Sequence, residues 1–179
     1  MNKKLTRAQV VAASLVVISL LTGACASSDT ALPPTDVPIV VTAVDYGFDG
    51  LPERIAAGTT LALDNESKVE IHELVAIRLP DDEKRPMDEL VQLPPEEFAA
   101  FFPLVETVVI APPGEAGFAV EGTGTLDKPG RYAVICAIPT GANPDEYLAA
   151  AAAAEGGPPQ VAGGPPHLAM GMYGEVIVE

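Results

Sequence analysis

Four side chains in this sequence have the types and the order to hold one metal ion: His72, Cys136, His167 and Met172. Two imidazole nitrogens and one thiolate in a trigonal plane, with a long axial thioether, form a mononuclear type 1 copper arrangement. Thiolate and thioether favour Cu(I) and imidazole suits Cu(II), so such a set serves one-electron chemistry. Zinc is the alternative, but it prefers a compact tetrahedral set without a thioether. Taken singly, each residue has a plainer reading. A lone buried Cys is more often a small core residue, and a His at a strand start is more often a satisfied polar group. The case for a metal is joint, because these are the only two His of the chain and one of its two Cys. Met170 is a second candidate for the axial position, or a core Met. Glu73 and Tyr132 read as structural.

Short strands must position these groups. Ile39–Val44 is rich in β-branched residues and reads as a first strand, continued by Tyr46–Phe48. Thr59–Leu63 alternates as a strand does. Ile71–Leu79 follows, with His72 near its start and Pro80 closing it. Pro86–Leu93 and Pro95–Phe102 begin with Pro and carry acids in their first turns, so they read as two short helices. Strand character returns at Thr107–Ala111 and Gly117–Glu121. It is strongest at Gly130–Ile138, which carries Cys136, and it ends with Gly174–Val178. About seven strands separated by turn signals predict an all-β sandwich decorated by small helices.

Thirty residues separate Cys136 from His167. The segment 139–166 is an insertion of low complexity. It holds Asn143 as an N-cap, Pro144 at the first helical position, and six consecutive Ala after Leu148. Closing a loop this long costs about 1 to 2 kcal/mol more than closing a short one. Two outcomes are compatible with it: a helix packed over the metal to govern access, or a domain that has lost tight metal binding.

The N-terminal segment 1–24 reads as a signal peptide. Lys3, Lys4 and Arg7 precede an apolar run, Val10–Leu21, and small residues lead to Cys25. The run falls short of the roughly 20 residues that span a bilayer. Cys25 is placed as the lipidated Cys of a lipobox, with 25–38 as lipid anchor and flexible tether, and 39–179 as one folded domain. A cut near Ala24 or Ala26 without lipidation is the alternative. Either way the domain works outside the cytoplasm, and a lipidated Cys25 would leave Cys136 with no disulfide partner in the chain. An unpaired thiol in an oxidising compartment is oxidised unless buried, inert or metal-bound. After Cys25 there remain seven basic residues against 25 acidic ones. That balance excludes nucleic acid as a partner and suits basic proteins and cations. No Ser–His or carboxylate constellation suggests hydrolysis, and no spare His remains for a multicopper enzyme, so the chain does not read as an enzyme.

Two stretches carry a family resemblance. Gly130-Arg131-Tyr132-Ala133-Val134-Ile135-Cys136 and His167-Leu168-Ala169-Met170-Gly171-Met172 followed by Tyr173–Val178 resemble the ligand-bearing end of plastocyanin-like cupredoxins. Asn65 with His72-Glu73 resembles the family's upstream Asn and first His, and 45–59 resembles the first hairpin of small cupredoxin-like lipoproteins. The resemblance implies a Greek-key β-sandwich with two or three short helical insertions. It implies a type 1 copper bound by His72, Cys136 and His167, with Met172 axial, the Met172 spacing from His167 matching the family where Met170 does not. It also implies electron transfer with an extracytoplasmic redox or copper-handling protein, on a membrane reached through the lipid. Copper storage or delivery by the same ligands, and a metal-free binding module, are the other functions the sequence allows.

Overall fold

The computed structural model describes residues 37–154 and 157–179. The expected signal peptide, Cys25 and most of the tether lie outside the described residues. Among those residues, no helix is long and apolar enough to cross a membrane.

Among the described residues, ten strands form two mixed sheets. They are β1 (Ile39–Val44), β2 (Gly47–Asp49), β3 (Arg54–Ile55), β4 (Thr59–Asn65), β5 (His72–Arg78), β6 (Val105–Ala111), β7 (Phe118–Glu121), β8 (Thr125–Leu126), β9 (Gly130–Ile135) and β10 (Tyr173–Val178). One sheet runs β2-β1-β4-β8 and the other β3-β10-β9-β5-β6-β7. Within the larger sheet, β5, β6 and β7 are consecutive antiparallel neighbours and β9 returns to lie beside β5. That order, fourth strand beside the first, is a Greek key. The sandwich expected from the strand spacing is the one observed. β3 and β8 went unread because each is only two residues long.

Pleating explains how the large sheet buries both faces. Alternate residues of a strand point to opposite sides. From β5, Leu74 and Ala76 enter the core between the sheets, together with Tyr132, Val134 and Cys136 from β9 and its end. Val75 and Ile77, with Ala133 and Ile135, enter a second cluster on the outer face. That outer cluster is capped by Met87, Leu90, Phe98 and Phe101 from α1 (Met87–Leu90), α2 (Pro95–Phe98) and the 3-10 turn Ala99–Leu104. Each fully buried Leu, Ile or Phe contributes roughly 1.5 to 3 kcal/mol. The two middle helices are shorter than their sequence patterns suggested. Pro94 follows the first closely, and Pro103 lies inside the tighter turn that continues the second.

The inserted helix α3 (Pro144–Ala153) forms as its sequence predicts. Asn143 caps it, its side-chain oxygen accepting from Glu146 N at 3.1 Å, and Pro144 opens it. Its one fully buried anchor is Tyr147.

Candidate metal centre

His72 opens β5, where its parity with Leu74 and Ala76 turns it toward the inner face. The end of that strand is fixed by Asn65. Its amide donates to Glu70 O and to Ala111 O, both at 2.9 Å, and Ala111 is the β6 residue paired with His72. Cys136 follows the last residue of β9, which ends three residues short of the Ile138 to which the sequence pattern carried it, and shares the inner face with Val134.

The long connection to His167 is closed at its neck. Cys136 O accepts from Leu168 N at 2.8 Å and Ile138 O from His167 N at 2.9 Å. Thr140 N donates to Pro165 O at 3.0 Å, and Gly164 N to Thr140 O at 2.8 Å. The neck also requires glycine: a Cβ on Gly163 would lie 2.4 Å from Pro139 Cβ, and one on Gly164 would lie 2.2 Å from Thr140 Oγ1. The insertion 139–166 therefore leaves the fold and returns through one pinched point, and His167 comes back beside Cys136.

The result is a cluster of three fully buried donors, His72, Cys136 and His167, whose ligand atoms all lie within 4.8 Å of one another. The two Nδ1 atoms are 3.1 Å apart, and Cys136 Sγ is 3.3 Å from His167 Nδ1. Burial holds both imidazoles neutral. His72 is pushed down to about 4 by desolvation, then by His167, and His167 is lowered by desolvation although Glu70 opposes the shift. Neutral imidazole is the form that binds a metal. Burial raises the Cys136 thiol, reinforced by Glu73, so metal binding must expel its proton. The backbone N–H of Glu73 donates to Sγ at 3.4 Å, which suits a thiolate.

Met172 is also fully buried. Its N donates to His167 O at 3.0 Å, and its O accepts from Cys136 N at 3.1 Å, so its backbone is tied to both neighbouring donors. Met170 is 52 % exposed, at the end of a 3-10 turn that runs from His167. Gly171, at φ 109°, turns the chain inward between the two. Two imidazoles, one thiol and a buried thioether residue in the same loop fit a type 1 copper site. Neither His Nε2 has a hydrogen-bond partner among the described residues.

Three residues around the cluster were not singled out by sequence reasoning. The Glu70 carboxylate accepts from Gly141 N at 3.1 and 3.2 Å, and lies 3.4 Å from His167 Nε2 without forming a hydrogen bond. Tyr46 presents its ring edge-on to His167, centroids 5.2 Å apart. It is the one described non-Gly residue at positive φ (65°), in the two-residue turn between β1 and β2. Tyr147 donates from its hydroxyl to Glu73 Oε2 at 2.8 Å. Glu73, read as structural, joins two segments here, since its other oxygen accepts from Ala137 N at 3.1 Å. An acid inside an otherwise apolar strand was the signal for it. Glu70 and Tyr46 gave none, because their partners are remote in sequence.

No protein-family model matches the chain, and no curated protein does. Solved structures similar to it include dithionite-reduced auracyanin from the photosynthetic bacterium Roseiflexus castenholzii, at 17% identity over 79% of this chain and 96% of that one, TM-score 0.45. Auracyanin A, a "blue" copper protein from the green thermophilic photosynthetic bacterium Chloroflexus aurantiacus, aligns at 18% identity over 82% and 99%, TM-score 0.43. Auracyanin B aligns at 18% identity over 84% and 91%, TM-score 0.42.

Proposed function

We propose that this protein is a copper-binding one-electron carrier, held outside the cytoplasm on a membrane by a lipid on Cys25. His72, Cys136 and His167 would hold the copper, with Met172 as the fourth ligand. The observation that supports this is the convergence of two Nδ1 atoms and one Sγ at a buried point, despite the long insertion between two of them. A bound copper would supply the Cu(I)/Cu(II) couple. The chain's own residues do the rest. The β5, β9 and β10 ends fix the donors so that little rearrangement accompanies the change of charge. Complete burial of the three donors keeps water from becoming a further ligand. The partner is an extracytoplasmic redox or copper-handling protein, and the strongly acidic composition favours one with a basic surface.

Voltammetry of the copper-loaded protein tests this function. A reversible one-electron couple is the expected result. Tight copper binding as Cu(I) with no reversible couple would move the protein to storage or delivery. No copper binding at all would leave a metal-free binding module. The anchor is tested separately, by the mass of Cys25-containing peptide from membrane-extracted protein: a diacylglyceryl adduct is expected, and an unmodified thiol would overturn it.

A further inference from the structure

We propose that the inserted helix α3 acts on the metal thiolate through Tyr147 and Glu73, which are positioning residues for Cys136. The inference rests on the copper reading of His72, Cys136 and His167. Glu73 follows His72 on β5, and the pleat sends its side chain to the other face of the sheet, where it is 3 % exposed. The backbone pairing of β5 with β9 ends at Val75↔Ile135. Beyond that pair the Glu73 carboxylate takes over, Oε1 accepting from Ala137 N at 3.1 Å. The residue after one ligand is thereby held to the residue after another. From the same residue, the backbone N–H of Glu73 donates to Cys136 Sγ at 3.4 Å.

The second carboxylate oxygen reaches the insertion. Oε2 accepts from the hydroxyl of Tyr147 at 2.8 Å, and Tyr147 is fully buried. Its place is set by the cap of α3, where Tyr147 N donates to Asn143 O at 2.9 Å. Glu73 and Tyr147 also line a cavity of about 520 Å³, which extends between Ala151 and Ala154 of the helix side and Val105, Val108 and Ile110 of the sheet. The start of α3 is thus tied to the metal end by this hydrogen bond, while its later turns stand over open space. A buried carboxyl group needs its donors. Glu73 has two from side chain and loop, one from the ligand loop and one from the insertion. Removing the tyrosine hydroxyl frees the carboxyl group to rotate, loosens Ala137, and alters the N–H···S contact beside it. A weaker N–H···S bond leaves more electron density on sulfur, which favours the oxidised metal.

Tyr147→Phe, copper-loaded and metal-free, tests the chain of contacts. The expected results are a shift of the thiolate-to-copper absorption band to longer wavelength and a fall in reduction potential. In the metal-free protein, the Ala137 amide proton should move upfield. Tyr132→Phe is the control: that hydroxyl is also buried and donates to Lys128 O at 2.9 Å, four residues before Cys136. It should leave the band and the Ala137 amide in place, as a merely structural loss would. Should Tyr147→Phe fail to fold, Glu73→Gln serves. Its one carbonyl oxygen keeps the Ala137 bond, so its band should lie nearer wild type than that of Glu73→Leu. A Tyr147→Phe protein with wild-type band and wild-type Ala137 amide overturns the inference alone. A wild-type protein without the band overturns the copper reading and this inference with it.

Discussion

The two faces of the large sheet are built on different terms, although the same strands supply both. The outer face beneath α1 and α2 is closed by Val75, Ile77, Leu79, Met87, Leu90, Phe98 and Phe101, all apolar. At the end of β5 and β9, the inner face instead buries His72, His167 and Cys136, beside buried Asn65 and Ser67. Apolar area stabilises the first region in proportion to what is removed from water. The second buries polar groups, which costs free energy unless each finds a partner. Its cost is offset where Asn65 and Ser67 complete hydrogen bonds, and remains at the two imidazole Nε2 atoms, which have no hydrogen-bond partner among the described residues. The outer cluster is therefore a stability element and the inner end a binding element, and mutations should separate the two.

The sharpest separation is Cys136→Ser. Copper affinity should fall by more than the roughly 10 to 100-fold typical of losing an outer-shell partner, while thermal unfolding of the metal-free protein changes little. Isothermal titration and a melting curve read both. Phe98→Ala should do the reverse. Removing a buried aromatic from the outer cluster should cost about 3 kcal/mol by denaturant unfolding and leave the copper spectrum of the folded fraction unchanged. If Phe98→Ala perturbs the spectrum as strongly as the stability, the two faces are not separable.

The neck gives an intermediate effect. Gly164→Ala places a Cβ against Thr140 and should strain the Thr140–Gly164 bond, at about 1 to 3 kcal/mol for overpacking. Its signature is faster copper release with α3 still helical by circular dichroism. The smallest effect belongs to Glu83, on the outer side, which Arg85 holds down to about 2, chiefly by a side-chain hydrogen bond. An acid whose folded value is depressed below its ordinary 4.5 adds stability above that value and loses it as pH falls toward 2. Arg85→Ala should thus lower stability only slightly at pH 7, since the pair is partly exposed and screened by solvent. The difference from wild type should shrink as pH falls from 4.5 toward 2, as read from unfolding curves across that range.

Much of this was legible in the chain itself. The apolar runs Ile71–Leu79 and Gly130–Ile138 announced strands, the second ending at Ile135, and the pleat then required His72 and Cys136 to share a face with Leu74 and Val134. Asn143 and Pro144 announced the start of α3. What could not be read was how a 30-residue excursion returns His167 to Cys136. The answer lies in backbone bonds between residues on either side of the insertion, and in glycines whose need arises only from that close approach. Glu70 was hidden for the same reason, because its donor Gly141 lies 71 residues away. Strand patterns report local periodicity, whereas a neck and a surrounding layer of contacts are properties of juxtaposition.

The central claim is that these donors form one copper site, and visible absorption of the metal-free protein titrated with Cu(II) tests it most directly. The account predicts an intense thiolate-to-copper band that saturates at one copper per chain and is absent in Cys136→Ser and His167→Ala. A wild-type protein that shows no such band, or a band that survives the loss of His167, would contradict it.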